Sequence, residues 1–132
     1  MKAAVMEATA EPIVVREFDD PEIGPADALI RVEACGVCRS DWHIWQGDLS
    51  WVGFAVPTPS VLGHEWAGIV EAVGSDVQNI RPGMRVLTPF HNGCGNCRYC
   101  VAGKSNLCDN NGAGMGGFGQ LARVATADFN AI

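Results

Sequence analysis

At 132 residues the chain can bury a real core but carries one domain's worth of material. Its formal charge of -6, with only two lysines, excludes the concentrated basic face that a nucleic-acid surface needs to displace counterions. The N-terminal run Met1 to Glu7 meets an acid at once and no apolar stretch reaches bilayer length, so neither a signal peptide nor a membrane span is expected; the predicted address is cytoplasmic, with reduced thiols.

Sixteen glycines and seven prolines among short alternating stretches predict strands joined by many turns. Lys2 to Glu7 and Ile13 to Glu17 read as two strands split by the Glu11-Pro12 break, a hairpin or meander. After the loop at Pro21, Gly24 and Pro25, Leu29 to Ala34 alternates apolar and charged positions, with Arg31 and Glu33 on the outer face. Ser40-Asp41 is placed to cap a short helix through Trp42, His43, Ile44 and Trp45, ending near Gly47. Trp66 to Val73 is the next strand, Arg81-Pro82-Gly83-Met84 a turn, Arg85 to Leu87 the strand leaving it, and Gln120 to Thr126 the last. The predicted class is mainly β: a partly open antiparallel barrel with short helices and long functional loops.

One of those loops carries Cys94-Gly95-Asn96-Cys97-Arg98-Tyr99-Cys100, closed by Cys108 after seven intervening residues. So dense a thiol cluster points to bound metal, and tetrahedral zinc needs only four soft ligands on a tight turn. A disulfide pair of the secreted kind is the ordinary alternative. An iron-sulfur run is the other, although its usual C-x3-C-P ending is not met here, where Asp109 follows Cys108.

A second group of candidates lies elsewhere: Cys38-Arg39-Ser40-Asp41-Trp42-His43 and Gly63-His64-Glu65 offer a thiolate, an imidazole and a carboxylate. Taken alone, His64 reads first as a hydrogen-bonded core histidine and Cys38 as a small buried apolar residue. Beside a four-cysteine lobe they read as a reactive zinc site, which keeps three protein ligands and one open position. Trp42, Trp45, Trp51, Phe54 and Phe90 lie near these loops, suited equally to an apolar substrate channel and to core packing.

With these motifs in order, from Lys2-Ala3-Ala4-Val5 through Cys35-Gly36-Val37-Cys38-Arg39-Ser40-Asp41 and Gly63-His64-Glu65 to the cysteine lobe and Gly117-Phe118-Gly119-Gln120, the chain resembles the N-terminal GroES-like domain of the zinc-dependent medium-chain alcohol dehydrogenases. The resemblance implies a GroES-like fold over residues 1–132, structural zinc on Cys94, Cys97, Cys100 and Cys108, and catalytic zinc on Cys38 and His64, with Glu65 a transient ligand. It also implies that Ser40 and His43 relay the alcohol proton, that Asp41 holds the His64 tautomer, and that Arg39 meets cofactor phosphate. Helix capping for Ser40 and Asp41, a solvent-facing histidine for His43 and a solvated charge for Arg39 stand beside those roles. The implied reaction is oxidation of a small-molecule alcohol to an aldehyde or ketone with NAD or NADP, in a parent enzyme that is a homo-oligomer.

Two matches are decoys. Gly112-Ala113-Gly114-Met115-Gly116-Gly117 satisfies G-x-G-x-x-G, but it follows Asp109-Asn110-Asn111 and leads towards a strand, so it is read as a turn. Cys35-Gly36-Val37-Cys38 mimics a redox pair without a βαβ unit, and Cys35 is assigned to a strand. The resembling enzymes continue past the position of Ile132 into a Rossmann cofactor domain and a further catalytic-zinc ligand, so the chain alone is expected to bind metal but not to turn over. A free-standing, non-enzymatic zinc-binding or assembly module is the alternative.

Overall fold

A computed structural model describes all 132 residues, arranged as three antiparallel sheets and three short helices. In the first sheet β1 (Lys2–Met6) lies between β2 (Val14–Glu17) and β4 (Ser60–Val61), with Lys2 opposite Glu17 and Val5 opposite Val14. The predicted hairpin is therefore present. The second sheet runs β6 (Arg85–Leu87), β5 (Glu65–Val73), β3 (Ala28–Gly36), β9 (Leu121–Val124). A small third sheet pairs β7 (His91–Asn92) with β8 (Gly112–Ala113).

Strand alternation builds the core. Trp66 and Val70 of β5 face Ala28 and Ile30 of β3, and Val86, Ala122, Val124, Ile80 and Ala127 complete the cluster. Burying a side chain such as Ile30 contributes about 1.5–3 kcal/mol. On the opposite face of the same strands, Arg85 contacts Glu33 at 2.6 Å and Arg31 contacts Glu71 at 3.7 Å, exposed pairs each worth about 0–1 kcal/mol.

A single seam joins the two larger sheets. Phe118 accepts the Ala4 N–H at 2.9 Å, while Gln120 donates to Lys2 at 3.1 Å and accepts from Val32 at 2.9 Å. Elsewhere the sheets remain open, which makes this a partly open barrel. At one end Asp27, buried between β3 and β9, accepts from Gly24 N–H at 2.8 Å, Thr126 N–H at 3.2 Å and Arg123 Nε at 2.7 Å. Burial alone would raise its pKa, but these three donors outweigh it and hold the carboxyl below the usual range.

A second cluster of Met6, Ile44 and Leu62, flanked by Trp45 and Phe118, docks helix α1 (Arg39–Gln46) onto the first sheet. The helix corrects one expectation: its N-cap is Cys38, and Ser40 and Asp41 lie inside the first turn. Asp41 still caps, because its Oδ2 turns back to accept the Cys38 N–H at 3.0 Å. Gly47 ends the helix at φ +79°, the left-handed position that glycine enters without a Cβ penalty. Two further helices, α2 (Arg98–Val101) and α3 (Ala127–Asn130), were not predicted; each is only four residues long, too short for periodicity to register.

Candidate functional site

The thiol lobe is one loop folded on itself. Between β7 and β8 the chain passes through Cys94, α2 and Cys108, and the four Sγ atoms all lie within 4.8 Å of one another. Every cysteine in the chain is a free thiol. Cys97 and Cys108 stand 3.8 Å apart, close to the edge of a tetrahedron with metal–sulfur bonds of about 2.3 Å. Main-chain donors surround the sulfurs: Cys94 N–H and Asn110 N–H each reach Cys108 Sγ at 3.3 Å, and Cys100 N–H reaches Cys97 Sγ at 3.5 Å.

These donors stabilise thiolate. The N–H groups of Cys100 and Asp109 bring the Cys97 pKa down to about 6, and those of Asn96 and Cys97 lower Cys94. Cys100 is the opposite case, since burial pushes it up to about 12. A cluster with some thiolates already favoured and one thiol that ionises only beside a cation is a donor set that fits a divalent metal.

The second site is assembled from three elements. Cys38 precedes α1, Ser40 and Asp41 lie in its first turn, and His64-Glu65 stands at the head of β5. Ligand atoms of Cys38, His64 and Glu65 lie within 4.8 Å of one another. Two glycines permit this approach. Gly63 has φ +86°, and a Cβ there would sit 2.9 Å from the Phe118 backbone nitrogen; a Cβ on Gly36, which is paired with Glu65 across the sheet, would come 2.8 Å from Glu65 Oε2.

His64 is buried and its ring is flanked on both sides. Ser40 Oγ hydrogen-bonds Nε2 at 3.0 Å and Cys38 Sγ at 3.1 Å. Asp41 Oδ1 is 3.1 Å from Nδ1, an ion-pair distance without hydrogen-bond alignment, and the same oxygen accepts the Gly63 N–H at 3.1 Å. The buried Nδ1 thus has a carboxylate neighbour but no aligned partner, as suits an imidazole whose position a ligand at Nε2 would complete. Unlike the lobe, the site opens on one side into a cleft of about 580 Å³ lined by Ser40, Thr88, Leu87 and Phe90 beside the three donors.

Other predicted residues divide between near and far. Phe90 is at the cleft, its ring 4.6 Å edge-on to His64. Arg39 has no carboxylate partner and lies 5.2 Å over the Trp42 ring. His43 is not joined to Ser40 by any hydrogen bond; its Nδ1 meets Asp48 at 3.0 Å. Trp45 packs in the second cluster, and Trp51 and Phe54 line no part of the cleft, Trp51 being 83% exposed. Thr88 and Leu87 were missed as lining residues, since nothing in their local pattern distinguishes a strand end facing a cleft from one facing solvent. Gly112–Ala113 is a strand and the next element is the strand β9, not a helix opened by the glycines, which removes the dinucleotide reading of the glycine run. Cys35 lies in β3, as assigned.

Known proteins resemble the chain in sequence and in shape. An alcohol dehydrogenase of Geobacillus stearothermophilus is 39% identical over 134 residues, covering 98% of this chain and 39% of the relative. An L-threonine 3-dehydrogenase of Streptomyces avermitilis is 44% identical over 125 residues, covering 92% and 36%. A solved structure from Sinorhizobium meliloti 1021, described as a zinc-binding dehydrogenase bound to NADP, superposes with TM-score 0.80 at 40% identity, covering 99% of this chain and 37% of that one. The chain thus spans less than two fifths of the relatives it matches. No helix is long and apolar enough to cross a membrane. Residues 24–131 match the family described as the alcohol dehydrogenase GroES-like domain, and the chain belongs to that family.

Proposed function

We propose that this chain is the catalytic-domain portion of a zinc-dependent dehydrogenase that oxidises an alcohol to an aldehyde or ketone with NAD or NADP. The observation that carries this reading is the convergence of Cys38, His64 and Glu65 in the lining of an open cleft. Alcohol and threonine dehydrogenases among the relatives support the reaction class, and the NADP-bound neighbour supports the cofactor class.

In this reading Cys38, His64 and Glu65 hold the catalytic zinc, and Cys94, Cys97, Cys100 and Cys108 hold a structural one. When bound in the cleft, zinc supplies a Lewis acid that acidifies an alcohol hydroxyl. Asp41 keeps the His64 ring oriented with Nε2 towards the cleft. Ser40 Oγ, 3.0 Å from that nitrogen, accepts the substrate proton while its own hydroxyl proton passes onward. His43, exposed and held by Asp48, passes the proton to solvent through an intervening hydroxyl or water. Arg39, with its guanidinium unpaired, binds cofactor phosphate in two-pronged fashion. Phe90 and Leu87 give the cleft an apolar lining for the carbon skeleton of a substrate.

The isolated chain binds metal but does not reduce NAD, because hydride transfer needs a cofactor held against the substrate. The test is a cobalt titration of the purified chain. A first equivalent gives sulfur charge-transfer bands from the lobe, a weaker second gives a distinct spectrum from the cleft, and a primary alcohol shifts only the second. A cleft spectrum indifferent to alcohols removes the substrate-binding reading, and robust NAD reduction by the chain alone overturns the requirement for further protein.

A further inference from the structure

Asn130, at the end of α3, is 1% exposed and spends its whole amide on main chain. Its Oδ1 accepts the Gly93 N–H at 2.9 Å. Its Nδ2 donates to the Gly93 carbonyl at 2.9 Å and to the Ala125 carbonyl at 2.7 Å. One side chain thus grips both polar groups of the residue before the first lobe cysteine. Nothing else in the fold holds Gly93 so fully: a Cβ there would lie 2.8 Å from Phe129 Cε1 and 2.9 Å from Cys100 Sγ, so the backbone is wedged between α3 and a lobe sulfur.

The geometry of the peptide unit makes this grip consequential. The Gly93 carbonyl and the Cys94 N–H belong to one planar trans peptide, on which they point in opposite directions. Asn130 Nδ2 fixes the carbonyl end, and the N–H end donates to Cys108 Sγ at 3.3 Å. Turning the plane to break either bond breaks the other. Asn130 therefore reaches the last lobe cysteine through a rigid plane, and places the first cysteine by the same constraint.

We propose that Asn130 is a positioning residue for the four-cysteine metal centre: by clamping Gly93 it aims the Cys94 N–H at Cys108 Sγ and seats the loop before metal enters. The inference rests on the proposed assignment of metal to that lobe, and goes beyond it by locating the outer support on α3, distant in sequence from every ligand. Hydrogen-bonded partners behind metal ligands are typically worth about 10–100-fold in affinity.

The test compares the full chain with Asn130→Ala and with Val124→Ala, the latter removing buried volume from the barrel core, a cluster that contains neither a lobe cysteine nor Asn130. Lobe affinity for cobalt is measured by competition against a chelator, with the sulfur charge-transfer bands identifying the site. Asn130→Ala is expected to lose at least tenfold in affinity, while Val124→Ala lowers the melting temperature without weakening cobalt by more than about twofold. Equal affinity in Asn130→Ala and the parent chain, or equal loss in both variants, overturns the inference. A parent chain that binds no cobalt with sulfur bands overturns the metal assignment and the inference together. Should Asn130→Ala not fold, hydrogen exchange on the metal-free parent chain decides. The inference requires the Gly93 amide to be protected before metal is added, and protection that appears only with metal contradicts it.

Discussion

The lobe and the cleft are two metal-type donor clusters on one small barrel, and they differ in how they are built. The lobe draws all four of its donors from one loop between β7 and β8 and surrounds them with backbone N–H groups. The cleft draws Cys38 from the start of α1 and His64-Glu65 from the head of β5, so its geometry depends on how the helix packs on Met6 and Leu62. In the proposed assignment, four soft donors from one loop suit a closed, structural centre, and three mixed donors from separate elements suit an open, exchangeable one. The lesson is that openness comes from tertiary assembly, because the barrel sets both the approach of the donors and the face left free.

Breaking one lobe sulfur should give the largest effect. Cys108→Ser removes a donor and the acceptor of two main-chain N–H groups, and should weaken lobe metal by more than the roughly 100-fold that outer partners supply, leaving the cleft spectrum in place. Cobalt titration reads both sites in one experiment; loss of both together would mean that the two are not independent.

Gly63→Ala attacks the cleft without touching a donor. Alanine at φ +86°, pressed against the Phe118 backbone, should cost about 1–3 kcal/mol and abolish metal uptake at the cleft while lobe affinity is unchanged. Chemical denaturation and cobalt spectra together check it, and an intact cleft spectrum would show that the loop tolerates the strain.

Asp41→Asn should weaken cleft metal about 10–100-fold by losing the charge beside His64 Nδ1, yet keep the helix, since an amide oxygen can still accept from Cys38. Far-ultraviolet circular dichroism that falls together with affinity would make its role structural.

In metal-free protein, Cys97 with its pKa near 6 should be alkylated by iodoacetamide at a rate that climbs as pH rises through that value, whereas Cys100, near 12, stays silent. Peptide mapping of the adducts resolves the two sulfurs, and equal labelling at pH 7 would contradict the backbone-donor account.

In the barrel itself the expected effect is on stability alone and reaches neither metal cluster. Asp27 has a folded pKa below its unfolded value of 3.8, so its contribution is fully present above that value and disappears as pH falls through the folded one. Asp27→Asn should cost about 1–3 kcal/mol at pH 7 and less in stronger acid, where the charge-dependent part is gone. Urea titrations at both pH values check the sign; a difference that grows on acidification reverses it.

Much of this was legible because the informative signals are local. Alternation in Leu29 to Ala34 identified β3, though the strand extends to Gly36. The spacing of the four cysteines nominated the lobe before any fold was assigned. What escaped were features that exist only once distant segments meet. The Asn130 clamp joins α3 to a loop 37 residues earlier, and nothing in Asp128-Phe129-Asn130 announces it. The cap of α1 was misplaced by two residues because Ser40 is the better capping type, whereas the helix starts at Cys38, where Asp41 closes a local capping bond and also accepts from the distant Gly63. Trp51 and Phe54 were drawn towards the cleft by sequence proximity, but the turn after Gly47 carries them away.

Zinc K-edge X-ray absorption on the chain loaded with one equivalent tests the contrast most directly. The account predicts a shell of sulfur alone, at about 2.3 Å, with no nitrogen or oxygen contribution. A mixed shell containing histidine nitrogen would mean that the cleft outcompetes the lobe, and the division into a closed and an open centre would be wrong.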